Sequence, residues 1–244
     1  MGAESTEGEI ATNTDPAGRW SLVVPLKPLE YAKSRLRDAL GDALRPRLAL
    51  AFAEDTVAAA LSCTDVRDVV VVTDDTVAAA RLAALGARVV PDFPAAGLNA
   101  ALAYGAGLVR AVRPSAPVAA LNADLPALRP SELSRVLEFS SGFPRAFLSD
   151  AAGIGTTFLS AVAGVELRPA FGGHSRARHL ASGAREVPPG GLDSVRRDVD
   201  TGDDLLVALA LGVGPRTEEL RDAVRLGAVP GPATGPTRSA PTGR

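Results

Sequence analysis

The chain has 244 residues, 46% hydrophobic and 22% charged, with a formal net charge of −2. That length can bury one sizeable core. A single cysteine, Cys63, excludes a disulfide framework and a Cys-built metal centre, and two histidines, His174 and His179, are too few for a multi-His metal site. The near-neutral balance argues against nucleic acid as a partner, since non-specific binding needs a basic surface.

Residues 1–18 are acidic and polar, without the charged-then-apolar order of a signal peptide, and read as a disordered tail. Residues 20–24 (WSLVV) predict a short strand. The loop after it, PLKPLEYAKSRL, holds Lys27 and Lys33. These are the only two lysines among 26 basic residues, the other 24 being arginine. Where basic positions have drifted to arginine, two lysines six positions apart suggest a site that needs compact ammonium groups. Such groups suit polyphosphate; an exposed basic loop is the plainer reading.

Residues 45–61 have helical spacing. Residues 68–73 (DVVVVT) form a β-branched run, as in a strand buried on both faces. Residues 75–85 predict a helix stopped by Gly86, and 87–90 a strand. Residues 98–113 predict a helix, 118–121 a strand, 130–139 a helix opened by Pro130, 146–148 a strand and 203–211 a helix. Residues 227–244 are rich in Gly, Pro, Ala and Thr and read as a second tail. The domain is thus expected over 19–226. Strands alternating with helices predict one α/β Rossmann-like domain, a mainly parallel sheet with helices on both faces. No stretch approaches 18 uncharged apolar residues, so no membrane span is expected, and the absence of targeting signals suggests the cytoplasm. The Ala- and Leu-rich helices could hide a homodimer interface.

Ligands of such sheets sit beyond the carboxyl ends of the strands. There the sequence places Asp124, in NADLP after the 118–121 strand, where a carboxylate suits Mg²⁺ shared with phosphate oxygens. The run RDVDTGDD at 197–204 crowds four carboxylates. Asp198 and Asp200 alternate as if on a short strand, Asp200 is a candidate second metal ligand, and Thr201 or Asp203 a candidate helix cap. The segment GIGTT at 153–157 offers backbone N–H groups and the hydroxyls of Thr156 and Thr157 to an anion. Gly172 and Ser175, in FGGHSRARH, stand at an apparent helix start, with Ser175 equally readable as an N-cap. His174 and His179 read as surface helix residues rather than catalytic ones. Asn99, in GLNAAL, is either a reader of a base edge or a cap.

The ordered motifs PLKPLEYAKSRL, GLNAAL, NADLPAL, GIGTTFL, FGGHSRARH and DVDTGDDL resemble the 2-phospho-L-lactate or phosphoenolpyruvate guanylyltransferases (CofC/FbiD) of coenzyme F420 biosynthesis. They run from Pro25 to Leu205. The wider group comprises nucleotidyltransferases of the GT-A-like Rossmann fold, whose glycine-rich first loop is absent here. The resemblance implies transfer of GMP from GTP to phosphoenolpyruvate or 2-phospho-L-lactate, with release of pyrophosphate. It further implies that Lys27 and Lys33 face the GTP phosphates, that Asn99 lies near guanine and that Asp124 and Asp200 hold Mg²⁺. Thr157 (or Thr156), Gly172 and Ser175 would bind the acid phosphate. A substrate phosphate is already largely ionised at neutral pH, so neither histidine is needed as a base.

Overall fold

Four valines in a row decide the centre of the sheet. In a computed structural model, which describes residues 18–33 and 36–227, they lie in β2 (Val66–Val72). Val69 and Val71 enter one buried cluster, Val70 and Val72 the other. Strands β1 (Trp20–Pro25) and β4 (Val118–Leu121) repeat this division: Leu22, Val24, Ala119 and Leu121 face one side, Val23, Val118 and Ala120 the other. A strand with no polar face must be covered twice. Helix α1 (Arg37–Leu61), α2 (Thr76–Ala84) and α4 (Pro130–Ser141) cover the first face, and α3 (Leu98–Val112) the second. The two proposed tails, apart from Gly18 and Gly227, lie outside the described residues, as do Ser34 and Arg35.

The sheet has seven strands in the order β3-β2-β1-β4-β6-β5-β7, with β3 at Arg88–Val90, β5 at Arg145–Ser149, β6 at Thr156–Ala161 and β7 at Arg185–Glu186. Strand β6 runs against both its neighbours; the other pairings are parallel. The expectation of a mainly parallel sheet holds. Strand β6 was not expected, because TTFLSA is buried at every position and shows neither alternation nor a valine run. Helix α1 starts earlier than the periodicity predicts, since the segment before residue 45 is interrupted at Gly41, whose φ is 75°. The anticipated strand at 198–200 lies outside the sheet, tied to the segment after β4 by a bond from the Val199 N–H to the Asp124 carbonyl (3.0 Å).

A third cluster packs α7 (Gly202–Leu211) and α9 (Arg221–Gly227) on α1, through Leu205, Ala208 and Val224 against Leu44, Leu48 and Phe52, and Val199 is buried in it. Thr201, not Asp203, caps α7, in a reciprocal pair with Asp204. Helix α3 lies so close to the sheet that a Cβ on Gly105 would stand 2.5 Å from Val23 Cγ1 and 3.0 Å from Val72 Cγ2. Gly105→Ala is therefore expected to push α3 off the sheet and cost roughly 1–3 kcal/mol of stability in a urea titration. An unchanged midpoint would show that α3 has room to spare.

Candidate active site

The loops at the carboxyl ends of β1, β4 and β5 border a trough with two halves. One half, about 400 Å³, is lined by the β1 loop, including Lys27, Tyr31 and Lys33. The other, about 470 Å³, is lined by Asp150, Thr156, Gly172, Ser175 and Arg197 among others. Asp124 and Asp200 line both.

Lys33 stands at their junction. Its ammonium bonds Asp124 Oδ2 and, at 2.9 Å, Asp200 Oδ1. The β1 loop is held to make this contact. Leu29 N–H donates to Asp75 Oδ2 (2.8 Å), while Asp75 Oδ1 caps α2. The buried Arg45 guanidinium donates to the carbonyls of Glu30 (2.8 Å) and Ala32 (2.6 Å). Lys33 has φ 55°, a left-handed conformation that costs a non-glycine residue about 1 kcal/mol and turns its side chain into the trough. Burial opposes its charge, but Asp124 and Asp200 outweigh this and hold the ammonium above the usual lysine range. Of the two lysines expected to face phosphate, Lys33 is paired here with carboxylates. Lys27 is exposed in the first half of the trough and makes no ion pair among the described residues.

Asp198, beside them, was noticed in the sequence only for its alternation. Burial and the charges of Asp124, Asp200 and Asp150 push its carboxyl up to about 8, against the pull of Lys33. Asp150 follows β5, where strand-end reasoning would have found it. Its two oxygens accept from the N–H groups of Ile154 (2.9 Å) and Gly155 (2.8 Å), and a Cβ on Gly155 would meet Asp150 Oδ2 at 2.3 Å.

The donors fit a hard divalent cation. Asp124 Oδ1 is buried without a hydrogen-bond partner, and Asp124 and Asp200 already converge on a positive charge. Among the described residues no group of three or more His, Cys, Asp or Glu side chains surrounds one point. Such a cation would therefore take its remaining ligands from water or substrate.

In the second half, the strand register slips between Leu148 and Ser149, leaving Thr157 as the bulged residue of β6. Thr156 faces the trough. Thr157 is fully buried, absent from the lining, and its hydroxyl has no partner. Between these two threonines, the geometry therefore brings Thr156 to the candidate site. Ser175 is the first residue of α5 (Ser175–Ala181), and His174 rather than Ser175 occupies the cap. The Ser175 hydroxyl instead bonds Thr156 Oγ1 (3.0 Å). Gly172 lines the trough with φ 95°.

Asn99 is not the helix cap, one of its two expected roles. Gly97 is the α3 cap, and the Asn99 amide forms a two-way clamp with Phe171, accepting from its N–H (2.7 Å) and donating to its carbonyl (3.2 Å). That amide is committed to the 171–173 loop. His179, expected on the surface, is fully buried, while His174 is exposed.

A family profile described as "Guanylyl transferase CofC like" matches residues 20–234. The chain belongs to this guanylyl transferase family. It is 67% identical over 214 residues to the phosphoenolpyruvate guanylyltransferase of Streptomyces avermitilis, covering 88% of this chain and 98% of that protein. With the protein of the same name from Streptomyces coelicolor it shares 68% identity over 199 residues, 82% of this chain and 94% of the other. Among solved structures, a nucleotidyl transferase from Methanothermobacter superposes with a TM-score of 0.57 at 23% identity, covering 79% of this chain and 97% of that one. A protein assigned as a nucleotide-diphospho-sugar transferase, from Desulfovibrio desulfuricans, gives 0.59 at 14%, covering 85% and 97%. These two likenesses show the nucleotidyltransferase fold. No helix among the described residues is long and apolar enough to cross a membrane.

In this guanylyl transferase, burial and the nearby Arg145 and Arg178 lower the His179 imidazole from 6.5 to about 4. The unfolded chain therefore takes up this proton first as pH falls. The stability that His179 contributes is present above pH 6.5 and lost on the way down to about 4. Between pH 7 and 4, the wild type is expected to lose on the order of 2–3 kcal/mol more than a His179→Gln variant in paired urea titrations. Parallel pH curves would show that the ring titrates normally.

Proposed function

We propose that the chain transfers GMP from GTP to phosphoenolpyruvate, releasing pyrophosphate, as a step in coenzyme F420 biosynthesis. One observation carries the reading: Lys33, Asp124 and Asp200 meet where the two halves of the trough join. A reaction between two anionic substrates needs its charge control at such a junction. Identity above 65% to proteins named for this reaction supports the same assignment.

In this reading the first half of the trough takes the GTP triphosphate and the second the acid phosphate. A phosphoenolpyruvate phosphate oxygen, already ionised because its second pKa is about 6, attacks the α-phosphorus. The bond to the β-phosphate oxygen breaks, and the electron pair leaves with pyrophosphate. No proton has to be removed, so no side chain acts as general base. Lys27 binds the phosphates as a compact charge. Asp124 and Asp200 would hold Mg²⁺, which when bound neutralises phosphate charge. Lys33 is the resident cation of the carboxylate pair, placed to turn to the phosphates when substrates fill the trough. Thr156, Gly172 and Ser175 hold the acid. Asn99 anchors the loop beside it.

Mass spectrometry of products from GTP, Mg²⁺ and a mixture of phosphoenolpyruvate and 2-phospho-L-lactate tests the assignment. The guanylylated phosphoenolpyruvate is the expected product; a cytidylylated product in a parallel CTP reaction, with none from GTP, would overturn it. Asp124→Asn is expected to lower kcat by about 10²–10³-fold or more with a cooperative unfolding transition retained. Near-normal turnover in that variant removes the metal role. Lys27→Arg should keep the charge yet lose most turnover, because a planar guanidinium cannot replace a compact ammonium. Full activity would show that only charge matters at position 27.

A further inference from the structure

The buried imidazole of His179 ties together three separated pieces of the second half of the trough. Its Nε2 accepts the N–H of Ala170 (3.1 Å), and its Nδ1 lies 3.0 Å from Thr156 Oγ1. The ring packs against Phe147 and, edge-on, against Phe171, with centroids 5.6 and 5.3 Å away. Thr156 Oγ1 in turn contacts the Ser175 hydroxyl at 3.0 Å.

These contacts fix where the protons lie. A backbone N–H can only donate, so Nε2 carries no proton. In the neutral ring the single proton then sits on Nδ1, and Nδ1–H donates to Thr156. The cluster holds three protons: one on Nδ1, one on Thr156 and one on Ser175. The His179–Thr156 and Thr156–Ser175 contacts use two of them. Among the described residues neither hydroxyl has a further acceptor, so one O–H is left over. Thr156 and Ser175 both line the trough. The opposite tautomer would reverse this count. Nδ1 would then accept from a hydroxyl, no proton would be left over, and the Ala170 N–H would face another N–H.

We infer that His179 is a positioning residue that makes the Thr156–Ser175 pair a net hydrogen-bond donor, so that this end of the trough receives an anionic oxygen of the acceptor substrate. The inference rests on the assignment of the second half of the trough to the acid phosphate. It adds the reason why that half offers a hydrogen-bond donor to a carboxylate or phosphate oxygen. His179 itself touches no substrate and moves no proton in the reaction.

Two conservative variants separate the two jobs of the ring. Asn at 179 presents its amide near the Nδ1 position and keeps the donor to Thr156. Gln reaches the Nε2 position and keeps the acceptor for Ala170. His179→Gln is expected to raise KM for phosphoenolpyruvate on the order of tenfold, with KM for GTP unchanged, while His179→Asn stays close to wild type. The reverse order would overturn the inference, since the ring would then only anchor the loop. So would two variants indistinguishable from wild type, or an equal rise in both KM values. Thr156→Val tests the underlying assignment separately. If it leaves KM for phosphoenolpyruvate alone, the acceptor site lies elsewhere, whatever His179 does. The wild-type protein offers a check that needs no variant. It has only two histidines, so ¹⁵N-histidine NMR resolves each ring, assigned by the exposed His174→Gln variant. A protonated Nδ1 on His179 is expected; a protonated Nε2 overturns the inference.

Discussion

One ammonium group organises this molecule. Lys33 lies 91 residues from Asp124 and 167 from Asp200, yet bonds both. Lys33 and Asp124 are largely withdrawn from water, so removing either leaves the other uncompensated, while Asp200 meets them from the solvent side. The surrounding structure can be read as what holds those three chain segments in register. Asp75 and Arg45 fix the β1 loop from two sides, and the left-handed backbone at Lys33 directs its side chain inward. Val199 is buried in the third cluster and bonded to the Asp124 carbonyl, which sets Asp200 beside Asp124. The C-terminal helices are therefore part of the architecture of the candidate site, although among the described residues no side chain of α8 (Pro215–Glu218) or α9 lines the trough.

The far end of the second half, around Thr156, Ser175 and the 170–173 loop, is built by a different rule. Its order comes from hydrogen-bond direction rather than from an ion pair. Asp150 folds the turn before β6 around two N–H groups, Asn99 and His179 hold successive residues of the 170–173 loop, and Thr156 joins α5 to the sheet. A network of this kind is favourable only when every member is satisfied. The donor–acceptor pair of Asn99 suits a base edge, one of the two readings its sequence position allows. The same pair suits a peptide unit equally well, and the Phe171 backbone is the one it meets.

The order of strands and helices was legible because buried parallel strands have a sequence signature, as the valine run of β2 shows. Strand β6 was not, since its burial depends on antiparallel neighbours on both sides that contribute nothing to its own pattern. For the site, position after a strand was enough to single out Asp124, and the scarcity of lysine pointed to Lys27 and Lys33. What the two lysines do could not be read from their count. One is exposed and the other sits between carboxylates, a difference set by the backbone at residue 33 and by segments far along the chain. His179 shows the converse limit. On a seven-residue helix beside exposed His174, nothing in the local sequence marks it as buried; only the aromatic rings of Phe147 and Phe171, from other elements, do so.

The arginine-rich composition gives the lysines their force as evidence. A guanidinium offers its donors in a plane and forms its best contacts with one carboxylate at a time. In the proposed reaction the junction needs a small charge that two carboxylates from different elements can share, and that can leave them without dragging a rigid fork through the trough. An ammonium on a flexible stem meets both needs. Arg45, one of the buried arginines, sits where nothing has to move: its Nη1 donates to the carbonyls of both Glu30 and Ala32. In the proposed reaction guanidinium thus fixes the loop and ammonium acts from it. That division is the physical reason to expect that the two residue types cannot be exchanged at either place.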